Sequence, residues 1–256
     1  MIDGSYAVAG AVTGFVVGLS GVGGGALMTP LLLLFFGVAP ATAIATDLWF
    51  AAITKMFGAR VHHAAGNVDW QIARRLWWGS LPIALLVVTL VTFGGHVPKV
   101  DWLTRAIGAV VLFTAVGLLI APRSLDWARQ RRERRTETAR PMPTVLAGAV
   151  VGLCVALTSV GAGALGSVML LYLYPTRLTP HRLVATDLVH AIPLALVAGA
   201  GYLFAGMVDG EMLLSLLAGS IPAVLVGSRM ATRFSGRGIQ LALAAVLMAV
   251  GLKVLV

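Results

Sequence analysis

Two stretches of glycine and hydroxyl residues interrupt long apolar sequence: Ser20-Gly21-Val22-Gly23-Gly24-Gly25 and Thr158-Ser159-Val160-Gly161-Ala162-Gly163. Each separates two apolar runs that are short for a bilayer span, 6–19 from 27–37 and 144–157 from 165–174. Glycine disfavours helix, so both breaks predict pairs of half-helices. The second half-helix of each pair starts just after its break, where its unpaired N–H groups and positive dipole end face the gap. Anion binding is the chemistry this composition suits. Ser20, Thr158 and Ser159 supply hydroxyl donors, and Gly21, Gly23, Gly24, Gly25, Gly161 and Gly163 carry no Cβ to hold backbone away from a ligand. A plainer reading is that the glycines only let helices pack closely, as small residues do in membranes.

Charged residues inside apolar sequence are the second chemical signal. Asp47 and Asp187 follow Thr46 and Thr186, seven residues after Pro40 and Pro180. A carboxylate at membrane depth is costly enough to point to function, here proton uptake coupled to the movement of another ligand. The structural alternative is that each Thr-Asp pair caps a helix or ties down a glycine break. Lys55 lies eight residues after Asp47, close to the same helical face, and can pair with it, attract an anion, or snorkel to the surface. His190, three residues before Pro193, can relay protons or simply pack. Asp69 and Asp209 precede helices and read as N-caps. Cys154 has no disulfide partner, and His62 and His63 lack the further ligands of a metal site. No metal and no cofactor beyond a coupled proton is expected.

The elements that must position these residues are set by composition. The 256 residues are 59% hydrophobic and 11% charged, with a mean hydropathy of +0.93. A soluble domain carries about 25% charged residues, so most of this surface faces lipid. A disulfide scaffold and a soluble enzyme are excluded. The net charge of +9 does not indicate nucleic acid, because the bases are concentrated between apolar segments. Six further apolar runs, 41–61, 72–93, 102–120, 183–205, 212–230 and 238–256, approach the roughly 20 residues that a transmembrane helix needs. The first six residues carry Asp3 and no basic residue, which predicts that they are part of the mature chain and not a secretory signal.

The two breaks belong to a repeat. At a spacing of 138, Val22, Gly23, Gly25, Ala26 and Leu27 match Val160, Gly161, Gly163, Ala164 and Leu165. At a spacing of 140, Ala45-Thr46-Asp47-Leu48 matches Ala185-Thr186-Asp187-Leu188, and Gly79-Ser80-Leu81-Pro82 matches Gly219-Ser220-Ile221-Pro222. Residues 1–120 and 144–256 are thus read as two copies of one unit. The loop at 62–69 is flanked by Lys55, Arg60, Arg74 and Arg75, whereas its counterpart at 206–211 has Asp209 and Glu211 and no base. The Lys/Arg bias places the first in the cytoplasm and the second outside, so the copies are inverted. The linker 121–143, with seven arginines, is cytoplasmic and suited to anionic lipid headgroups, while Lys99 in the 94–101 loop is a small dissent.

With the breaks and the repeat in place, the chain resembles the TauE/SafE family, also called the sulfite exporter or TSUP family. The resemblance rests on Gly21-Val22-Gly23-Gly24-Gly25 followed by Pro30 and a leucine run, on Ala45-Thr46, on His63, Gly66 and Val68-Asp69-Trp70, and on the repetition. It extends over essentially the whole chain. It implies a secondary transporter of sulfite or small organosulfonates, with no enzymatic activity and no metal. Asp47 and Asp187 depart from the family, whose members often have a small hydroxyl residue there. The expected fold is an all-α, multi-pass protein of the cell inner membrane, each inverted repeat a glycine-broken re-entrant or hairpin helix pair followed by three transmembrane helices. An anion channel of the same architecture is the alternative function. The small anion is expected where the two breaks meet near the midplane.

Overall fold

The computed structural model describes residues 3–20, 25–63, 68–93, 100–132, 141–161, 163–174, 177–230 and 236–255. Their regular structure is entirely α-helical. The helices are α1 (Gly4–Ser20), α2 (Gly25–Phe36), α3 (Pro40–His63), α4 (Trp70–Phe93), α5 (Val100–Arg132), α6 (Pro141–Thr158), α7 (Ala164–Leu173), α8 (Pro180–Phe204), α9 (Gly210–Met230) and α10 (Gly236–Leu255). Among the described residues α4, α6, α8 and α9 are long and apolar enough to cross a membrane, and shorter apolar stretches lie in α1, α2, α5 and α10. Large apolar side chains such as Trp78, Phe113, Leu146 and Leu214 stand exposed on the outside, as a lipid-facing surface requires.

Each broken pair doubles back on itself. Tyr6 at the start of α1 stacks on Phe36 at the end of α2, with ring centroids 4.6 Å apart. At the equivalent positions the Thr144 and Tyr174 hydroxyls bond at 2.6 Å. The helices then pack across the halves rather than within them: α1 chiefly against α9, α4 against α6, α5 against α10, and α3 against α8. These contacts are reciprocal under exchange of the halves. Gly14 meets the Ser220 backbone, and its counterpart Gly152 meets the Ser80 backbone. α3 and α8 run antiparallel, because Thr46 near the start of α3 reaches Asp209 after α8, while Thr186 near the start of α8 reaches Asp69 after α3.

Most helices start one to three residues before the expected runs, and two differ in a way that changes the reading. α6 starts at Pro141 rather than 144 and its 18 residues are long enough to span, not a half-helix. Pro141 and Pro143 extend it because proline is tolerated in a first turn, where its missing N–H would be unpaired anyway. α5 continues to Arg132, so the first part of the expected linker is helix. Good helix formers after Pro122 carry it on.

Candidate functional site

Asp47 lies about two turns into α3 and is wholly buried. The Thr29 hydroxyl on α2 donates to its Oδ2 at 2.6 Å, which ties the first hairpin to α3. Its Oδ1 is buried with no partner, and the Ser159 hydroxyl beside it falls short of hydrogen-bond geometry. Asp47 therefore ties α2 to α3 and lies beside the break of the other half. Asp187 on α8 is 3% exposed, and its Oδ1 is likewise buried without a partner. It sits so close to Gly166 on α7 that a Cβ there would collide with Oδ1. The next residue, Ser167, is the repeat equivalent of Thr29, and its hydroxyl is also buried and unpartnered.

Lys55 is 2% exposed, so it does not snorkel. Helical Cα–Cβ bonds lean toward the N-terminus, which aims its long stem back along α3 toward Asp47. Its charge acts on both Asp47 and Asp187, and on His190. His190 is held by Ser80 Oγ at 2.9 Å from Nε2, and its carbonyl accepts from Trp77 Nε1 at 3.2 Å. Its Nδ1 is buried without a partner. Lysine, two carboxylates and imidazole from two antiparallel helices thus form one buried polar cluster.

The second break is built by backbone conformation. Gly161 and Gly163 have φ of 126° and 131°, values that L side chains rarely adopt, and Ser159 is left-handed at 56°. Their positive φ, more than close packing, is what requires glycine at 161 and 163. The Thr158 hydroxyl closes the turn by donating to the Cys154 carbonyl at 2.6 Å and accepting from the Val160 N–H at 3.1 Å. α7 begins with Gly163 at its N-cap and no side-chain cap. The Gly166 and Ser167 N–H groups bond the Gly161 and Gly163 carbonyls, which leaves the N–H groups of the first two helical residues outside this pattern. Residues 21–24 of the first break, with Gly21, Gly23 and Gly24, lie outside the described residues, and so do the side chains of Ser20, His62 and His63; Gly25 opens α2.

Thr46 and Thr186 serve the contact between halves. Their hydroxyls accept from the Asp209 and Asp69 N–H groups at 3.2 and 3.0 Å, and those aspartates cap α9 and α4 through Met212 and Ile72. The two ends are otherwise unequal. Arg177 bonds Asp69 through Nε at 2.8 Å and Nη2 at 3.0 Å, and Arg182 lies 3.6 Å from the same carboxylate. At the repeat spacing of 140 the positions equivalent to Arg177 and Arg182 are Gly37 and Thr42, which carry no charge. Thr29, Ser167, Ser80 and Arg177 were not among the residues expected at the site. A usable signal existed for the first two, since a hydroxyl recurs at the repeat spacing of 138. An apolar groove of about 620 Å³ between α5, α6 and α7, lined by Phe113, Ile120 and Met169 among others, suits lipid chains rather than an anion.

Residues 6–254 match the family model described as Sulfite exporter TauE/SafE. The chain is 34% identical to a probable membrane transporter protein, YjnA, of Bacillus subtilis, over 98% of this chain and 99% of that protein. It is 25% identical to another from the same organism, YdhB, over 84% and 85% of the two chains. A probable membrane transporter protein of Xylella fastidiosa is 28% identical over 88% of this chain and 84% of its own length. No solved structure matches.

Proposed function

The chain belongs to the sulfite exporter TauE/SafE family of membrane transporters, and on that premise we propose that it moves small sulfur-containing anions, sulfite or short organosulfonates, by alternating access coupled to protons. The observation that carries this reading is the buried cluster of Lys55, Asp47, Asp187 and His190 beside the second glycine break. A lysine offers an anion a counter-charge, and carboxylates are able to take up a proton as the anion binds. Ser159, Gly161 and Gly163, with the first N–H groups of α7, form one wall.

Alternating access has its mechanical basis in the halves. They are inverted repeats of a hairpin and three spans, and the reciprocal packing of α1 on α9 and α6 on α4 supports this. The protein lies in the cell inner membrane, with the 62–69 loop and the linker in the cytoplasm. The bases of the linker lie against anionic lipid. Rocking of one half on the other transfers the site between faces.

Proteoliposome flux with sulfite, thiosulfate, sulfoacetate, taurine and sulfate tests the reading. The expected result is saturable movement of an unchanged sulfur anion, accelerated by a pH gradient. Flux that does not saturate and follows voltage alone would identify a channel, and no flux of any of these anions would reject the substrate class.

A further inference from the structure

The buried cluster is unequal in charge. Asp47 and Asp187 are equivalent at the repeat spacing of 140, whereas Lys55 corresponds to Ala195 and His190 to Phe50. Two carboxyl groups thus share one ammonium, and all three side chains are at most 3% exposed. Among the described residues, Lys55 is the charged group whose field reaches Asp47, Asp187 and His190. His190, wholly buried on the Ser80 hydroxyl, counts as a neutral ring in this balance, because a further buried cation would go uncompensated.

Uncompensated charge at this depth is costly, so the cluster stays near neutrality in every state that crosses the membrane. Without an anion, neutrality needs the Lys55 ammonium, one aspartate as carboxylate and the other as carboxyl. When a monovalent anion arrives at Lys55 it replaces the carboxylate as counter-ion, and that carboxylate takes up a proton. The loaded cluster is then one ammonium, one anion and two carboxyls. Both states are neutral, and they differ by one anion and one proton. A divalent anion leaves a net negative charge, because no further carboxylate remains to protonate. Given that the protein moves anions as proposed above, we infer that its site selects monovalent oxyanions over divalent ones and carries one proton with each, without net charge.

The unpartnered atoms are those the exchange needs. Asp47 Oδ1 and Asp187 Oδ1 are each buried with an open valence for a proton, and Ser159 Oγ and Ser167 Oγ are buried donors with nothing to receive them. Because either aspartate can be the one that titrates, the two are redundant. Removing one leaves Lys55 with a single carboxylate, and the same exchange proceeds. Removing both leaves the site no carboxylate to exchange for the anion.

The test uses the full-length protein in liposomes, with labelled methanesulfonate as the monovalent probe, sulfate as the divalent one, a pH dye inside and potassium with valinomycin to set the potential. Wild type is expected to move one proton per methanesulfonate at a rate indifferent to potential, and to take up sulfate at least tenfold more slowly. Asp47→Asn and Asp187→Asn should each slow uptake several-fold but keep its ratio of one proton per methanesulfonate, since the remaining aspartate still titrates. The double variant should exchange methanesulfonate across the membrane but fail to accumulate it with protons, because its empty site would hold the Lys55 charge without either carboxylate. Lys55→Ala should weaken methanesulfonate binding about a hundredfold, the scale of breaking a buried charge pair. Potential-driven uptake by wild type, equal rates for sulfate, or a double variant that still carries protons would each overturn the inference while leaving anion transport standing. The last would take the proton off the aspartates and place it on Lys55 or His190. Failure of wild type to move any sulfur anion would overturn the functional reading itself. If the double variant does not fold, the wild-type stoichiometry and its potential dependence decide alone.

Discussion

Gly163 holds φ at 131° where α7 begins, and no side chain crosses that conformation without strain of about 1–3 kcal/mol. Relief of the strain would redirect the N–H groups at the tip of α7. Gly163→Val is therefore expected to abolish anion flux while leaving a monodisperse protein; undiminished substrate affinity in this variant would remove the break from the site. Asp69 and Asp209 offer a contrast between equivalent residues. Both cap a helix, an interaction of about 1 kcal/mol. Asp69, 4% exposed, also holds Arg177, whereas Asp209 is exposed and lies opposite no equivalent arginine. Asp69→Ala should lower the melting midpoint in detergent more than Asp209→Ala, by a further 1–2 kcal/mol or so given the partial exposure of Arg177; equal losses would show that the ion pair contributes nothing. At this scale the aspartates were legible because carboxylates stand out in apolar sequence. The burial of Lys55 was not, because a lysine near a helix end snorkels or turns inward according to what lies across from it, and Asp187 comes from the other half of the chain.

Helix partners follow from rows of small residues. Gly10, Gly14 and Gly18 line one face of α1 and rest on α9, and Gly148 and Gly152 on α6 rest on α4. A Cβ at Gly14 would lie 2.7 Å from the Ser220 carbonyl oxygen, and one at Gly152 would lie 2.5 Å from that of Ser80. Lipid supplies no hydrophobic drive between helices, so this close approach is the main source of their association. Gly14→Leu and Gly152→Leu should each cost about 1–3 kcal/mol or more of thermal stability. Gly152→Leu should also reduce transport in the fraction that stays folded, because it moves Ser80 away from His190. Melting midpoints unchanged in both would mean that these helices do not depend on contact at glycine. The second break and the length of most helices were readable from spacing and hydropathy. The choice of partners was not, since a row of glycines announces a close contact without saying which helix makes it, and α1 chooses α9 over the helices next to it in sequence.

For the molecule as a whole, one hydrogen-bonded ion pair constrains the topology. Arg177 between α7 and α8 reaches Asp69 between α3 and α4, so these two junctions share a face. That face holds Arg74, Arg75, Arg177 and Arg182, while the junction of α8 and α9 offers Asp209 and Glu211. The Lys/Arg bias counts such bases near helix ends, and on it the first face is expected in the cytoplasm. The 33 residues of α5 span about 50 Å, well beyond a hydrocarbon core of about 30 Å, so its arginine-rich end projects out of the membrane. Gln71 and Glu211 are equivalent at the 140-residue spacing, and both are exposed in the first turn of their helices. In a Cys154→Ser background, Gln71→Cys is expected to react with a membrane-impermeant maleimide only from the cytoplasmic side, and Glu211→Cys only from the other. Inverted copies require this opposition, because α4 and α9 must then enter the membrane from opposite faces. Copies in parallel would expose both cysteines to the same side, and that labelling pattern would remove the basis for moving one central site between two faces.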